Sequence, residues 1–217
     1  MTPQADSARP LILVGSGGHA RVLLSTLRLL GARILGFVDP DKTRAELLAV
    51  PYLGADDAIS SDPSQVLLVN GVGSVAPIEN RLRVYESFRR RGYRFASVIH
   101  PSAIIAPEAE LAEGVQIMAG AILQTGCVVE ENCIVNTGAR VDHDCVIHAH
   151  AHVAPGAVLS GNVHVGPRSH VGVGATVIQG VHIGSDAIVG AGAVVLSDVP
   201  ESCTVVGIPA RPIQVKV

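Results

Sequence analysis

The chain has 217 residues, is 48% hydrophobic, and sets 16 Lys and Arg against 19 Asp and Glu, for a formal net charge of −3 at pH 7. That balance leaves no electrostatic footprint for nucleic acid or an anionic membrane surface, and no stretch approaches the roughly 18 apolar residues of a spanning helix. The N-terminus is polar and only four apolar residues (Leu11 to Val14) follow it, so it does not read as a signal peptide, and a soluble cytoplasmic protein is expected.

All six aromatic residues lie before residue 96, and the last 122 residues contain none. Two domains are therefore expected, 1–98 and 99–217. In the first, Leu11 to Val14 reads as a buried strand, followed by Gly15-Ser16-Gly17-Gly18-His19 and a helical stretch through about Leu30. A second strand ends at Phe37-Val38-Asp39, Val66 to Val69 make a third, Pro77 to Arg91 a helix, and Tyr93 to Ile99 a last strand. This alternation predicts a small parallel α/β sheet, a Rossmann-like half. Arg89-Arg90-Arg91 reads as the solvated end of the helix.

The sequence GSGGHA after a strand matches the G-x-G-x-x-G/A phosphate loop, and Asp39 sits where an acidic residue would meet a ribose hydroxyl. Glycines let the backbone approach a diphosphate, and the helix N-terminus offers free N–H groups to it. Fewer than 100 residues hold little more than one mononucleotide half, which suits a nucleoside diphosphate better than NAD. The competing reading is a tight strand-to-helix turn with no ligand. Asn70-Gly71, after the third strand, is a second candidate loop.

From Ile99, every sixth residue through Val195 is aliphatic, seventeen of seventeen. Four residues after each comes a second slot, Ala103 to Val199, filled only by Ala, Val, Cys or Ser. A period of six fits neither the 3.6 of a helix nor plain alternation, so it describes short strands joined by regular corners. Three hexads would close one coil, and residues 18 apart would stack at about the 4.8 Å spacing of paired strands. Cys127, Cys133 and Cys145 fall in the small slot, where a thiol acts as a small hydrophobe.

With Val141 inward, His143 and Asp144 fall on a corner and face out of the coil. A histidine there has no packing role, and the adjacent carboxylate can accept from Nδ1–H, fixing the tautomer and raising the basicity of Nε2. His152 and His170, like His164 and His182, are 18 apart, so each pair should stack on one corner.

A short α/β domain opening with GSGGH, the IHPSA junction at Ile99 to Ala103, and the uninterrupted hexapeptide repeat together resemble the nucleotide-amino-sugar N-acetyltransferases. The resemblance runs from Leu11 to Arg211. It implies a left-handed parallel β-helix that binds acetyl-CoA, an N-terminal domain that holds the nucleotide sugar, and a homotrimer with sites between subunits. It places Gly15, Ser16, Gly17, Gly18, His19 and Asp39 on the nucleotide sugar, with Asn70 and Gly71 beside them. It makes His143 the general base, Asp144 its partner and the amide of Gly161, 18 residues on, the oxyanion donor. Asn136 and His152 fall near the acetyl group, and Gly207, Ile208, Pro209, Ala210 and Arg211 close the helix near CoA.

No metal, nucleic acid or membrane partner is expected. The substrate reading is a 4-amino-4,6-dideoxy sugar, with GDP-perosamine preferred to a UDP analogue because Asp39-Pro40-Asp41 departs from the paired acidic residues of the UDP enzymes. Two alternatives stand beside it. One is O-acetylation of a sugar hydroxyl by the same base. The other is a zinc β-helix carbonic anhydrase, for which His143 and His148 have the right spacing but no third histidine lies between His100 and His143.

Overall fold

The computed structural model describes residues 9–41, 49–74 and 79–213. They form two compact units whose boundary falls between Pro101 and Ser102.

The first unit holds strands β1 (Leu11–Val14), β2 (Ile34–Val38), β3 (Tyr52–Gly54) and β4 (Leu67–Asn70), all parallel, in the order β3-β2-β1-β4. Helix α1 spans Gly18–Leu29 and α2 spans Glu79–Arg90, the expected start of the latter at Pro77 lying outside the described residues. Every residue of β1 is buried, which is why it reads as a continuous apolar run rather than an alternation. The three-residue β3 is too short to show a period and was not expected.

One expected strand is corrected. Of Tyr93 to Ile99, only Val98–Ile99 is strand, and Phe95 forms a single bridge to Leu68. Tyr93 and Phe95 are indeed buried alternately, but they pack on α2: Phe95 lies 4.7 Å from the Tyr85 ring and Tyr93 5.8 Å from Phe88. Arg91 is likewise no idle helix end. Its guanidinium donates to the carbonyls of Asp56 and Ile59 and lies 4.7 Å from the Phe88 ring centroid.

The second unit is a left-handed parallel β-helix. Sixteen two-residue strands run from Ile104–Ile105 to Val194–Val195, three to a coil, and partners along each face are 18 residues apart. The aliphatic slot is buried at every step from Leu111 to Val195, and the small slot from Ala109 to Val199. Where the small slot carries a thiol or hydroxyl, it donates to a corner carbonyl fifteen residues on: Cys127 to Asp142, Cys133 to His148, Cys145 to Ser160 and Ser169 to Gly184. The four cysteines are free.

The histidine pairs stack, but on faces rather than on corners, because each is the outward first residue of a strand. His164 and His182 are parallel with centroids 4.6 Å apart, while His152 and His170 meet edge-on at 4.8 Å. His152 is also buried. Thr204–Val206 extends one face, and Arg211–Ile213 pairs with it antiparallel. Val194 donates to Gly207 and accepts from Ala210, so the tail fastens onto the last coil. Among the described residues no helix is long and apolar enough to cross a membrane.

Candidate active site

Val141 and Cys145 both point into the coil, which turns the corner between them outward. The corner is stitched to both neighbouring coils: Asp144 N–H donates to the Thr125 carbonyl, and Asn162 N–H to that of His143. His143 N–H donates to Asp142 Oδ1 at 2.8 Å, and the ring Nδ1 lies 2.8 Å from Asp144 Oδ2. A carboxylate can only accept, so Nδ1 carries the proton and Nε2 is left as the basic nitrogen. With its side chain 46% exposed, the imidazole is reachable. The hydrogen bond to Asp144 raises its pKa above the ordinary histidine value, desolvation opposes this, and the charges of Asp142 and Asp144 add to it.

Two glycines make room for this pair. A Cβ on Gly161 would overlap His143 Nε2 and lie 3.0 Å from Cδ2. The Gly161 amide makes no backbone hydrogen bond among the described residues, and it therefore remains a donor beside the base. One coil earlier, a Cβ on Gly126 would overlap Asp144 Oδ1. Gly126 was missed in the sequence, where only its separation of 18 from Asp144 could have marked it.

Asn136 and His152 are brought together elsewhere on the coil. Asn136 Nδ2 donates to His152 Nε2 at 3.0 Å, and its Oδ1 accepts from Thr137 N–H. This pair lies one strand, Arg140–Val141, before the His143 corner. His148, the residue proposed for zinc, follows the next strand and holds Glu130 Oε1 at 3.2 Å. Among the described residues no three His, Cys, Asp or Glu gather as metal ligands.

In the first unit the glycine loop caps the C-terminal ends of the parallel strands, where ligands bind open α/β sheets. Gly15 has φ +94, and Gly17 is the N-cap of α1, whose first turn carries no acidic side chain. The unneutralised N-terminal dipole favours an anion. Asp39, the residue expected at a ribose hydroxyl, is buried and bonds to the loop itself. Oδ2 accepts from Ser16 N–H at 2.8 Å and Ser16 Oγ at 2.6 Å, and Oδ1 from Asp41 N–H at 2.8 Å. The carboxylate thus holds the loop in place.

Asn70 is spent in the same way, donating to the Arg81 carbonyl and accepting from Val72 N–H. Gly71 is required by space: a Cβ would lie 2.8 Å from the Val14 carbonyl oxygen and 2.9 Å from Ala20 Cβ. The buried Arg81 guanidinium donates to the carbonyls of Asn70 and Val72, a contact the sequence did not reveal.

The sequence model of the PglD N-terminal domain matches residues 10–88. Among solved structures, the acetyltransferase domain of PglB from Neisseria gonorrhoeae is 36% identical, covers 94% of this chain and 100% of its own, and superposes with a TM-score of 0.88. PerB from Caulobacter crescentus, in complex with CoA and GDP-perosamine, is 38% identical over 94% of this chain and 97% of its own, with a TM-score of 0.87. Perosamine N-acetyltransferase from the same organism, with one histidine changed to asparagine, also holds CoA and GDP-perosamine and matches at 39% identity, 94% and 97% coverage and a TM-score of 0.87. Sequence comparison with curated proteins returns no match.

Proposed function

The chain belongs to the nucleotide-amino-sugar N-acetyltransferase family, and from that premise we propose that it acetylates the amino group of a nucleotide-linked 4-amino-4,6-dideoxy sugar with acetyl-CoA, GDP-perosamine being the preferred substrate. The substrate reading is supported by the relative that binds CoA and GDP-perosamine at 38% identity. The observation that carries the chemistry is the 2.8 Å contact between His143 Nδ1 and Asp144 Oδ2, with Gly161 against the ring.

In this reading His143 Nε2 takes a proton from the sugar amine as its nitrogen bonds to the thioester carbonyl carbon. The Gly161 amide donates to the oxygen that becomes negative. When the C–S bond breaks, the imidazolium returns a proton to the departing thiolate, and the base is regenerated. Asn136 and His152 steady the acetyl group. Gly15 to His19 and Gly71 receive the nucleotide diphosphate in a loop held by Asp39 and Asn70, and the segment from Gly207 through Pro209 and Ala210 to Arg211 flanks CoA. The active form is a homotrimer.

Turnover with GDP-, UDP- and dTDP-linked amino sugars, and with hydroxyl-bearing counterparts, tests the substrate. Amide formation on the GDP sugar is expected, and an ester product would replace the reading with O-acetylation. His143→Ala should lower kcat by about 10² to 10⁴, the usual worth of a general base, while CoA still binds. A variant of near-normal kcat would move the base elsewhere.

A further inference from the structure

We propose that Gly126 is a positioning residue for the His143–Asp144 pair, the place of its missing side chain being taken by the Asp144 carboxylate. The proposal rests on the reading of that pair as the catalytic base and its partner. Gly126 and Asp144 occupy the same step of one corner on successive coils, 18 residues apart. A Cβ on Gly126 would overlap Asp144 Oδ1 and lie 3.4 Å from Cγ. The other oxygen, Oδ2, is the one on His143 Nδ1. Asp144 N–H is tied to the Thr125 carbonyl at 3.0 Å, so its backbone cannot retreat. An added methyl must therefore turn the carboxylate and draw Oδ2 off the imidazole.

Backbone conformation alone does not require glycine at this step. Gly126 has φ +72, yet side chains occupy the same left-handed conformation at Asn132, His150, Asn162, Arg168 and Asp186, with φ between 56 and 65. Gly174 provides the matched control, since its φ is +64 and nothing lies within 4 Å of a Cβ built on it. Alanine there carries the backbone strain without the collision. The charged or titratable groups that bear on His143 are Asp144, Asp142 and the inward Cys127 thiol, and alanine at residue 126 disturbs the first of them.

The experiment follows the imidazole resonance that disappears in His143→Ala, in the full-length protein, through a pH titration. In Gly126→Ala the His143 titration should move to lower pH, as in Asp144→Ala, and in Gly174→Ala it should stay at the parent value. The kcat of Gly126→Ala should fall by about 10-fold to 10²-fold, the scale for a misplaced catalytic group, and that of Gly174→Ala should not. Thermal midpoints supply a second arm: Gly126→Ala should cost more than Gly174→Ala in the parent and no more than it in Asp144→Ala, where the carboxylate is gone. An unmoved His143 titration, or an equal midpoint loss with and without Asp144, overturns the proposal. A moved titration with unchanged kcat upholds Gly126 as the residue that sets the pair and instead removes the Asp144 contact from the catalytic role.

Discussion

Asp39 ties the glycine loop to the end of the second strand. Its two oxygens accept three hydrogen bonds from Ser16 and Asp41, and a buried carboxylate is tolerated only when so satisfied. Removing it frees the glycine loop on which the nucleotide is proposed to sit. Asp39→Ala should therefore raise KM for the nucleotide sugar and leave KM for acetyl-CoA nearly unchanged, as steady-state kinetics with each substrate varied will show; a defect directed mainly at CoA would contradict the division of labour. The position of Asp39 was legible in the sequence because it follows a strand at the right separation. Its hydrogen bonds to the loop were not, since they depend on backbone N–H groups that a sequence does not orient. His143 and Asp144 were legible for the opposite reason. The six-residue phase decides which way a corner faces, and adjacency alone puts the carboxylate within reach. Gly126 and Arg81 escaped because a void and a buried guanidinium are defined by neighbours from other coils or strands.

At the scale of elements, the β-helix was readable almost residue by residue because its period is enforced by a core too narrow for rings. The α/β unit was read less well at β3 and at Tyr93 to Ile99, where two or three residues of pairing leave no periodicity to detect. The histidine ladder on one face was placed on the wrong part of the coil, and its true position has a consequence. His164 is packed between His148 and His182, with centroids 6.3 and 4.6 Å away. Burial, then the charges of His182 and His148, lower its pKa below the ordinary value. Above the unfolded-state pKa of about 6.5 His164 is neutral in both states and contributes nothing to the pH dependence. Below it the unfolded chain takes up a proton that folded His164 resists, so stability falls with falling pH until the folded group itself titrates. Thermal midpoints measured between pH 7.5 and 5 should decline less steeply in His164→Gln than in the parent. An identical slope would show that the ladder does not couple to folding.

For the whole molecule, the decisive feature is that the proposed acetyl-handling residues occupy two different places around two successive coils. His143, Asp144 and Gly161 share a corner, whereas Asn136 and His152 lie across the preceding strand, Arg140–Val141. A corner of a β-helix is convex, so one copy cannot wrap both a CoA arm and a sugar around it. Two copies that place the first corner of one beside Asn136 of the next, with the buried His152 bonded behind it, form a groove. Repeated head to tail, such a contact closes into a ring, and three copies give three equivalent sites. Light scattering at assay concentration should return a trimer, and an active monomer would contradict the arrangement. Complementation tests the sharing itself. His143→Ala and His152→Ala proteins, each expected to turn over more slowly than the parent, are unfolded together and refolded at equal ratio. Each mixed ring can then hold a site made of one intact corner from each parent, and random assembly should restore about a quarter of the parental sites. Refolding the variants separately and then mixing them should restore none while the rings do not exchange. If co-refolded mixtures stay as slow as their components, both sets of residues belong to one subunit, and the groove lies within a single chain.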